Sequence, residues 1–315
     1  MTTLPASLID AHAGWIQADR PEQGNFRWRP QAWERRFSRG EGVKSIDLEQ
    51  SVRSISTAAA AKFDGDGSLI DRELVSKLHA PETLRPDGAD DPQAVATAYI
   101  AAMVWGYGTT GYGPYRTERV LTTDPDAVQH LCEVAAIAQD PDRGGIASFA
   151  TIAEQKNGEF LKFLGPAFGT KFLYFLTAAA PGVTMTPVMD AVVRRWFAAE
   201  ADISLNTTWW DTTSYQRYLD ALDAWSTALA IGFDDSPLQR DQVELLIFAS
   251  ARGDDSSWTP ATESITFEDV TTDQLLELLQ EDIAELAEKN QSSRGPELLT
   301  ALADWVSEND MSGEG

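Results

Sequence analysis

Cysteine is almost missing from this chain: among 315 residues, only Cys132 is one. That count excludes a disulfide framework, a cysteine-rich zinc site and a four-cysteine iron–sulfur cluster. Histidine is nearly as rare, and His12, His79 and His130 stand too far apart to form a metal-ligand pattern. No metal and no other cofactor is therefore expected, and the lone thiol points to a reducing, cytoplasmic setting. Long hydrophobic runs are lacking too. No stretch of about 18 apolar residues is present to span a membrane. The first twenty residues show no basic-then-apolar pattern, so no signal peptide is expected.

Positive charge is also scarce, with 25 basic against 49 acidic side chains and a formal net charge of −24. Phosphate binding favours a basic surface, so this balance at first discourages a nucleic-acid partner. The charge is unevenly spread, however. Residues 256–315 hold 14 acids and two bases, half of the whole excess. Such a segment suits a protein partner or the regulation of access to DNA. The clearest basic stretch is Phe26-Arg-Trp-Arg-Pro-Gln-Ala-Trp-Glu-Arg-Arg-Phe-Ser-Arg39, five arginines interleaved with aromatics. It either contacts a phosphate backbone or packs its aromatics inward and leaves its arginines in water.

What the chain does have is apolar mass: 43% hydrophobic residues and ten tryptophans, enough for a packed core and against global disorder. No strict apolar/polar alternation is long enough to propose a sheet. Helix starts recur instead. Asp91-Pro92, Asp124-Pro125 and Ser236-Pro237 each set a capping side chain before a proline, and each precedes a helical apolar pattern. Those patterns run over 94–105, 127–138 and 238–251, with another long helix over 213–231. Thr271-Thr-Asp-Gln274 resembles a capping box opening an amphipathic helix. The fold class is all-α. Three regions are expected: an N-terminal helical region over 1–90 with the basic and aromatic patch, a helical core over 91–255, and an acidic C-terminal helical extension over 256–315.

Chemistry concentrates between Phe163 and Phe175. Gly165-Pro-Ala-Phe-Gly169 reads as a tight hairpin between two helices, whose glycines let backbone N–H groups approach a phosphate. Lys171 would then lie in the first turn of the second helix, among Phe168, Phe172, Leu173 and Phe175. Desolvation there would favour a neutral amine able to attack carbon; alternatively the lysine is a solvated residue at a helix start. Nineteen residues on, Asp190 precedes the helix over 191–199. It suits an N-cap, and equally a carboxylate that faces the lysine and assists proton transfer.

The run Gly-Pro-Ala-Phe-Gly-Thr-Lys171, followed by Pro187-Val-Met-Asp190, resembles the helix-hairpin-helix DNA glycosylases, most of all the 8-oxoguanine DNA glycosylase branch. The resemblance spans about 94–252. It implies Lys171 as nucleophile, Asp190 as the essential carboxylate, and DNA contacts at Gly165, Phe168, Gly169 and Thr170. Arg240-Asp-Gln-Val-Glu-Leu-Leu-Ile-Phe248 resembles the family's late helix, which implies Glu244 at the base-contacting position and Phe248 as the stacking ring. Phe175 stands where a small residue commonly lines the base pocket. The turn after Trp105 matches a helix end that enters the DNA stack, implying Tyr107 or Tyr112 there, with Arg116 and Arg119 on phosphates. Three departures stand out. Ala167 replaces the usual first hairpin glycine, Phe175 is large, and Glu244 replaces a glutamine. An ionised carboxylate only accepts hydrogen bonds, whereas an amide also donates. The implied function is a DNA glycosylase with AP lyase activity that flips a modified purine from duplex DNA and works without a metal. The alternatives are a DNA-binding module that has lost the chemistry, and a protein-interaction factor built on the acidic region.

Overall fold

The computed structural model describes residues 3–38, 43 and 46–252. The expectations for the acidic region and the helix after Thr271, and for Arg39 in the basic stretch, lie outside the described residues. By contact the chain divides into residues 1–264 and residues 265–315, and every described element belongs to the first unit.

The described residues are helical, as the apolar patterns predict, but of the three cap-and-proline signals only Asp91-Pro92 stands at a helix start; the other two helices begin at Ala127 and Arg240. In chain order they form α1 (Ala6–Gln17), β1 (Phe26–Arg27), α2 (Pro30–Phe37), α3 (Leu48–Phe63), β2 (Leu69–Ile70), α4 (Arg72–Leu78), α5 (Pro81–Leu84) and α6 (Pro92–Tyr107). There follow α7 (Tyr112–Thr123), α8 (Ala127–Ala138), α9 (Gly144–Asn157), α10 (Pro166–Ala178), α11 (Ala191–Glu200), α12 (Thr212–Phe233) and α13 (Arg240–Arg252). The unexpected pair is β1 with β2, antiparallel, with Phe26 opposite Ile70 and Arg27 opposite Leu69. Two residues per strand are too few for alternation to show in the sequence.

Part of the acid excess is used at helix starts. Asp47, Asp71, Asp91, Asp190 and Asp211 each accept from a backbone N–H in the first turn of α3, α4, α6, α11 and α12. Each cap is worth about 1 kcal/mol and fixes where its helix begins. α6 is apolar on every side and almost wholly buried, the mark of a central helix. It is packed by α3, α4, α8 and α10. The basic stretch turns its aromatics inward: Trp28, Trp33 and Phe37 are buried, Arg36 pairs with Glu118, and Arg29 and Arg35 are exposed.

One expected boundary moves. Residues 165–169 are not a hairpin, because α10 already starts at Pro166 with Gly165 as its N-cap. Proline is pre-organised for the first helical position, so it pulls the start back toward Gly165. The connection from α9 runs over 158–165 instead. There Glu159, Leu161 and Phe163 take positive φ values of 68°, 46° and 70°, a conformation costly for side-chain-bearing residues. Tertiary bonds hold it: Arg116 Nε donates to the Phe163 carbonyl at 2.8 Å, and Trp210 Nε1 donates to that of Leu164 at 2.9 Å. Lys171 consequently sits in the second turn of α10, not the first.

Candidate active site

On a helix, residues three and four apart share a face, so Phe168, Lys171, Tyr174 and Phe175 line one side of α10. That side packs on the last turn of α6. Phe175 meets Trp105 edge to face at 5.2 Å, and Phe168 stacks on Tyr107 at 3.8 Å between ring centres. Between them Gly106 leaves room for the lysine stem. A Cβ there would lie 2.5 Å from Lys171 Cδ and 2.8 Å from its Cε. Any larger residue at 106 would displace the amine.

Lys171 is 6% exposed. Its Nζ donates to the Ala167 carbonyl at 3.2 Å and to Asp190 Oδ2 at 3.3 Å, and lies 5.1 Å from the Phe168 ring centre. Asp190 both caps a helix and faces the lysine. Oδ1 caps α11 by accepting from Val192 and Val193 N–H at 3.0 and 3.3 Å, which leaves Oδ2 for the lysine. The loop carrying it is pinned from three sides. Tyr215 and Tyr218 of α12 donate their hydroxyls to the Pro187 and Val188 carbonyls, both at 2.8 Å. Thr170 Oγ1 accepts from Met189 N–H at 3.1 Å, and Arg240 donates to the Met185 carbonyl at 3.1 Å. A cation and a carboxylate held on separate rigid elements suit nucleophilic and proton-transfer chemistry.

Glu244 is not a surface acid: it is 1% exposed. Arg72, the first residue of α4, donates from Nη2 to Glu244 Oε2 at 2.8 Å and from Nη1 to the Tyr174 hydroxyl at 3.1 Å. The Tyr174 hydroxyl in turn donates to Asp241 Oδ2 at 3.1 Å. The guanidinium lies 4.8 Å from the Tyr174 ring centre and 5.4 Å from that of Trp105. Burial raises the Glu244 pKa above the ordinary carboxylate value; Arg72 opposes the rise, while Asp190 and Asp241 add to it. Against the cost of burial, Tyr174 first and then Glu244 and Asp241 raise the Arg72 pKa. Phe248, one turn beyond Glu244 on α13, is half-buried.

Several sequence-predicted contacts fall elsewhere. Phe175 is fully buried against Trp105 and His79. Phe168, Gly169 and Thr170 are interior because the helix starts early. Gly169 lies under the Trp210 indole, and Thr170 donates to the Pro166 carbonyl at 2.8 Å. Tyr107 is buried by its stack on Phe168, and Arg116 is buried with its Nε on the Phe163 carbonyl. None of Phe168, Gly169, Thr170, Tyr107 and Arg116 presents its side chain, or for Gly169 its Cα, as an open phosphate contact. Arg116 serves the strained connection instead. Gly165 remains half-buried at the start of α10, and Tyr112 half-buried at the start of α7, where the exposed aromatic is Tyr115. Among the described residues no group of three or more His, Cys, Asp or Glu is placed to hold a metal ion.

Sequence reasoning missed Arg72, Gly106, Tyr174 and Asp241. One signal was present: a cation at the first position of a helix is disfavoured by the helix dipole, so Arg72 directly after the cap Asp71 needs another reason to be there.

A family model described as "Putative 8-oxoguanine DNA glycosylase OGG-like protein" matches residues 19–248. The match extends well before the 94–252 span of the motif resemblance and takes in Arg72. No curated protein and no solved structure matches the chain.

Proposed function

The chain belongs to the 8-oxoguanine DNA glycosylase OGG-like family, and from that premise we propose that it is a DNA base-excision enzyme, a glycosylase with lyase activity that removes a modified purine from duplex DNA. The observation that carries this reading is the placement of Lys171 Nζ 3.3 Å from Asp190 Oδ2, on elements inside the matched region. The lysine and the aspartate are the residues that the motif resemblance implied for those roles.

The proposed reaction uses both groups. Lys171 gives a proton to Asp190 Oδ2, and the neutral amine attacks C1′ of a nucleotide flipped from the duplex. The C1′–N9 bond breaks, its electron pair leaves with the base, and the proton on Asp190 neutralises that base. The carboxylate so regenerated stabilises positive charge on the sugar. Opening of the sugar ring converts the Nζ–C1′ bond to a Schiff base, with a proton going to the ring oxygen. Loss of a C2′ proton then expels the 3′ phosphate and cuts the strand. Phe248 would stack on the extruded base, and Glu244 would read its edge. Gly165 and Tyr112 lie at helix starts from which they would contact the bent duplex, and the exposed Arg29 and Arg35 would meet its phosphates.

The test is base release from duplexes that each carry one modified purine, followed together with strand cleavage. Free base with a nick at the same position is the expected result. Tight binding of every duplex without release of any base would instead identify a DNA-binding protein that has lost the chemistry.

A further inference from the structure

Three buried polar atoms with no hydrogen-bond partner among the described residues lie on or beside one guanidinium. They are Glu244 Oε1, Arg72 Nε and Trp105 Nε1. Glu244 is 1% exposed and Trp105 8%. Glu244 shares its other oxygen with Arg72 at 2.8 Å, and the Trp105 ring lies 5.4 Å from the Arg72 guanidinium carbon. Buried polar groups in folded proteins are nearly always paired, so one acceptor and two donors left together point to a missing ligand with the complementary edge. The cluster adjoins the reactive pair. Tyr174, which accepts from Arg72, is one turn along α10 from Lys171, and the Asp190 charge is felt at Glu244.

We infer that Arg72 is a specificity-determining residue: by holding Glu244 as a carboxylate with one oxygen free, it makes the site read a ring N–H beside a carbonyl, the lactam edge of a nucleobase. This rests on the base-excision reading. Glu244 Oε1 accepts from the ring N–H, and the neighbouring donors on Arg72 and Trp105 answer the carbonyl oxygen. A base with a bare ring nitrogen at that point sets lone pair against lone pair. Without Arg72 the isolated buried acid would take up a proton and donate, which narrows the preference. The other charged or titratable groups facing Glu244 are Asp241 on its own helix, Asp190 before α11, Tyr174 on α10, and Tyr215 and Tyr218 on α12. None of them supplies a second cation.

The experiment compares wild type, Arg72→Leu, Arg72→Lys, Glu244→Gln and the double variant Arg72→Leu/Glu244→Gln. Single-turnover excision is measured on duplexes carrying 8-oxoguanine or hypoxanthine, which have the ring N–H, and 2-aminopurine, which has a bare nitrogen there. Borohydride trapping on a duplex with a preformed abasic site, which needs no base reading, is measured in parallel. Wild type is expected to prefer the lactam bases by at least about tenfold. Arg72→Leu should lower lactam excision at least about tenfold more than it lowers trapping, and should narrow the preference toward 2-aminopurine. Arg72→Lys should recover part of the preference. In the Glu244→Gln background, removing Arg72 should leave the preference where Glu244→Gln alone put it. This comparison and Arg72→Lys keep the test open if Arg72→Leu does not fold.

Equal losses of excision and trapping in Arg72→Leu, or an undiminished effect of Arg72 beside Glu244→Gln, would show a structural role and overturn the inference. Wild type that traps the abasic duplex and excises none of the three bases would also overturn it, while leaving the lysine chemistry standing. Wild type that neither traps nor excises would bring down the base-excision reading and this inference with it.

Discussion

Two cation–carboxylate pairs flank one face of α10, and they are built for opposite ends. Lys171 and Asp190 come from neighbouring segments, meet at 3.3 Å, and each keeps a second bond to the backbone. Arg72 and Glu244 come from distant parts of the chain, meet at 2.8 Å, and leave one buried oxygen without a partner among the described residues. A pair whose members are also held by backbone can part during a reaction without leaving either group destitute. A pair without that backing cannot, because separation strands a charge in a low-dielectric interior. The first arrangement suits groups that must exchange a proton. The second suits groups that must hold still and be read.

The contrast is broken most severely at the lysine. Lys171→Gln should lower single-turnover base release by at least about 10³-fold, while duplex binding measured by gel shift changes by less than about tenfold. A comparable loss of binding would mean that Lys171 holds DNA rather than reacting with it. Asp190→Asn comes next. Asparagine caps helices about as well as aspartate, so the melting temperature should move by only about 4 °C or less. Excision should nevertheless fall by about 10²–10⁴-fold. Loss of fold and activity in parallel would reduce Asp190 to its capping role.

At the second pair the expected ranking reverses, with stability affected first. Arg72→Leu strands Glu244 and should cost about 3–5 kcal/mol in urea unfolding, whereas Arg72→Leu/Glu244→Gln should recover much of that. A double variant as unstable as the single one would show that packing of the guanidinium between Trp105 and Tyr174 matters more than its charge. Acid provides a milder perturbation of the core behind both pairs. His79 is fully buried against Phe172 and Phe175, and burial pulls its pKa from the ordinary 6.5 down to about 4. The unfolded chain takes up this proton near 6.5 and the folded one does not. Stability from this group is therefore complete above about pH 6.5 and declines toward pH 4, by up to ~3 kcal/mol. His79→Phe should flatten that part of the stability–pH curve. The smallest perturbation is Gly106→Ala, one methyl group pushed against the lysine stem. It should cost about 10²-fold in excision by misplacing the amine, with little change in melting temperature.

The two pairs also differ in how far sequence alone reveals them. Lys171 and Asp190 lie 19 residues apart on one helix and the next cap, so a local pattern carries both. The helix starts were legible for the same reason: Asp91 with Pro92, and Asp190 itself, announce caps within three residues. Arg72 and Glu244 are 172 residues apart, and no local spacing links them. The dipole-opposed placement of Arg72 was the only trace. The early start of α10 was missed because Gly-Pro reads equally as a turn and as a cap with proline at the first helical position. That choice, in turn, decided whether Phe168, Gly169 and Thr170 face DNA or the core. Arg116 was misread because the strained connection over 158–165, which it holds, is a property of φ angles rather than of residue types.

The central claim is that the Lys171 amine bonds covalently to the sugar carbon. Borohydride reduction of a reaction with duplex carrying an excisable base or an abasic site, followed by protease digestion and mass spectrometry, locates the bond. A single adduct is expected on the peptide containing Lys171, absent from Lys171→Gln. An adduct on another lysine or on the N-terminal amine, persisting unchanged in Lys171→Gln, would contradict it.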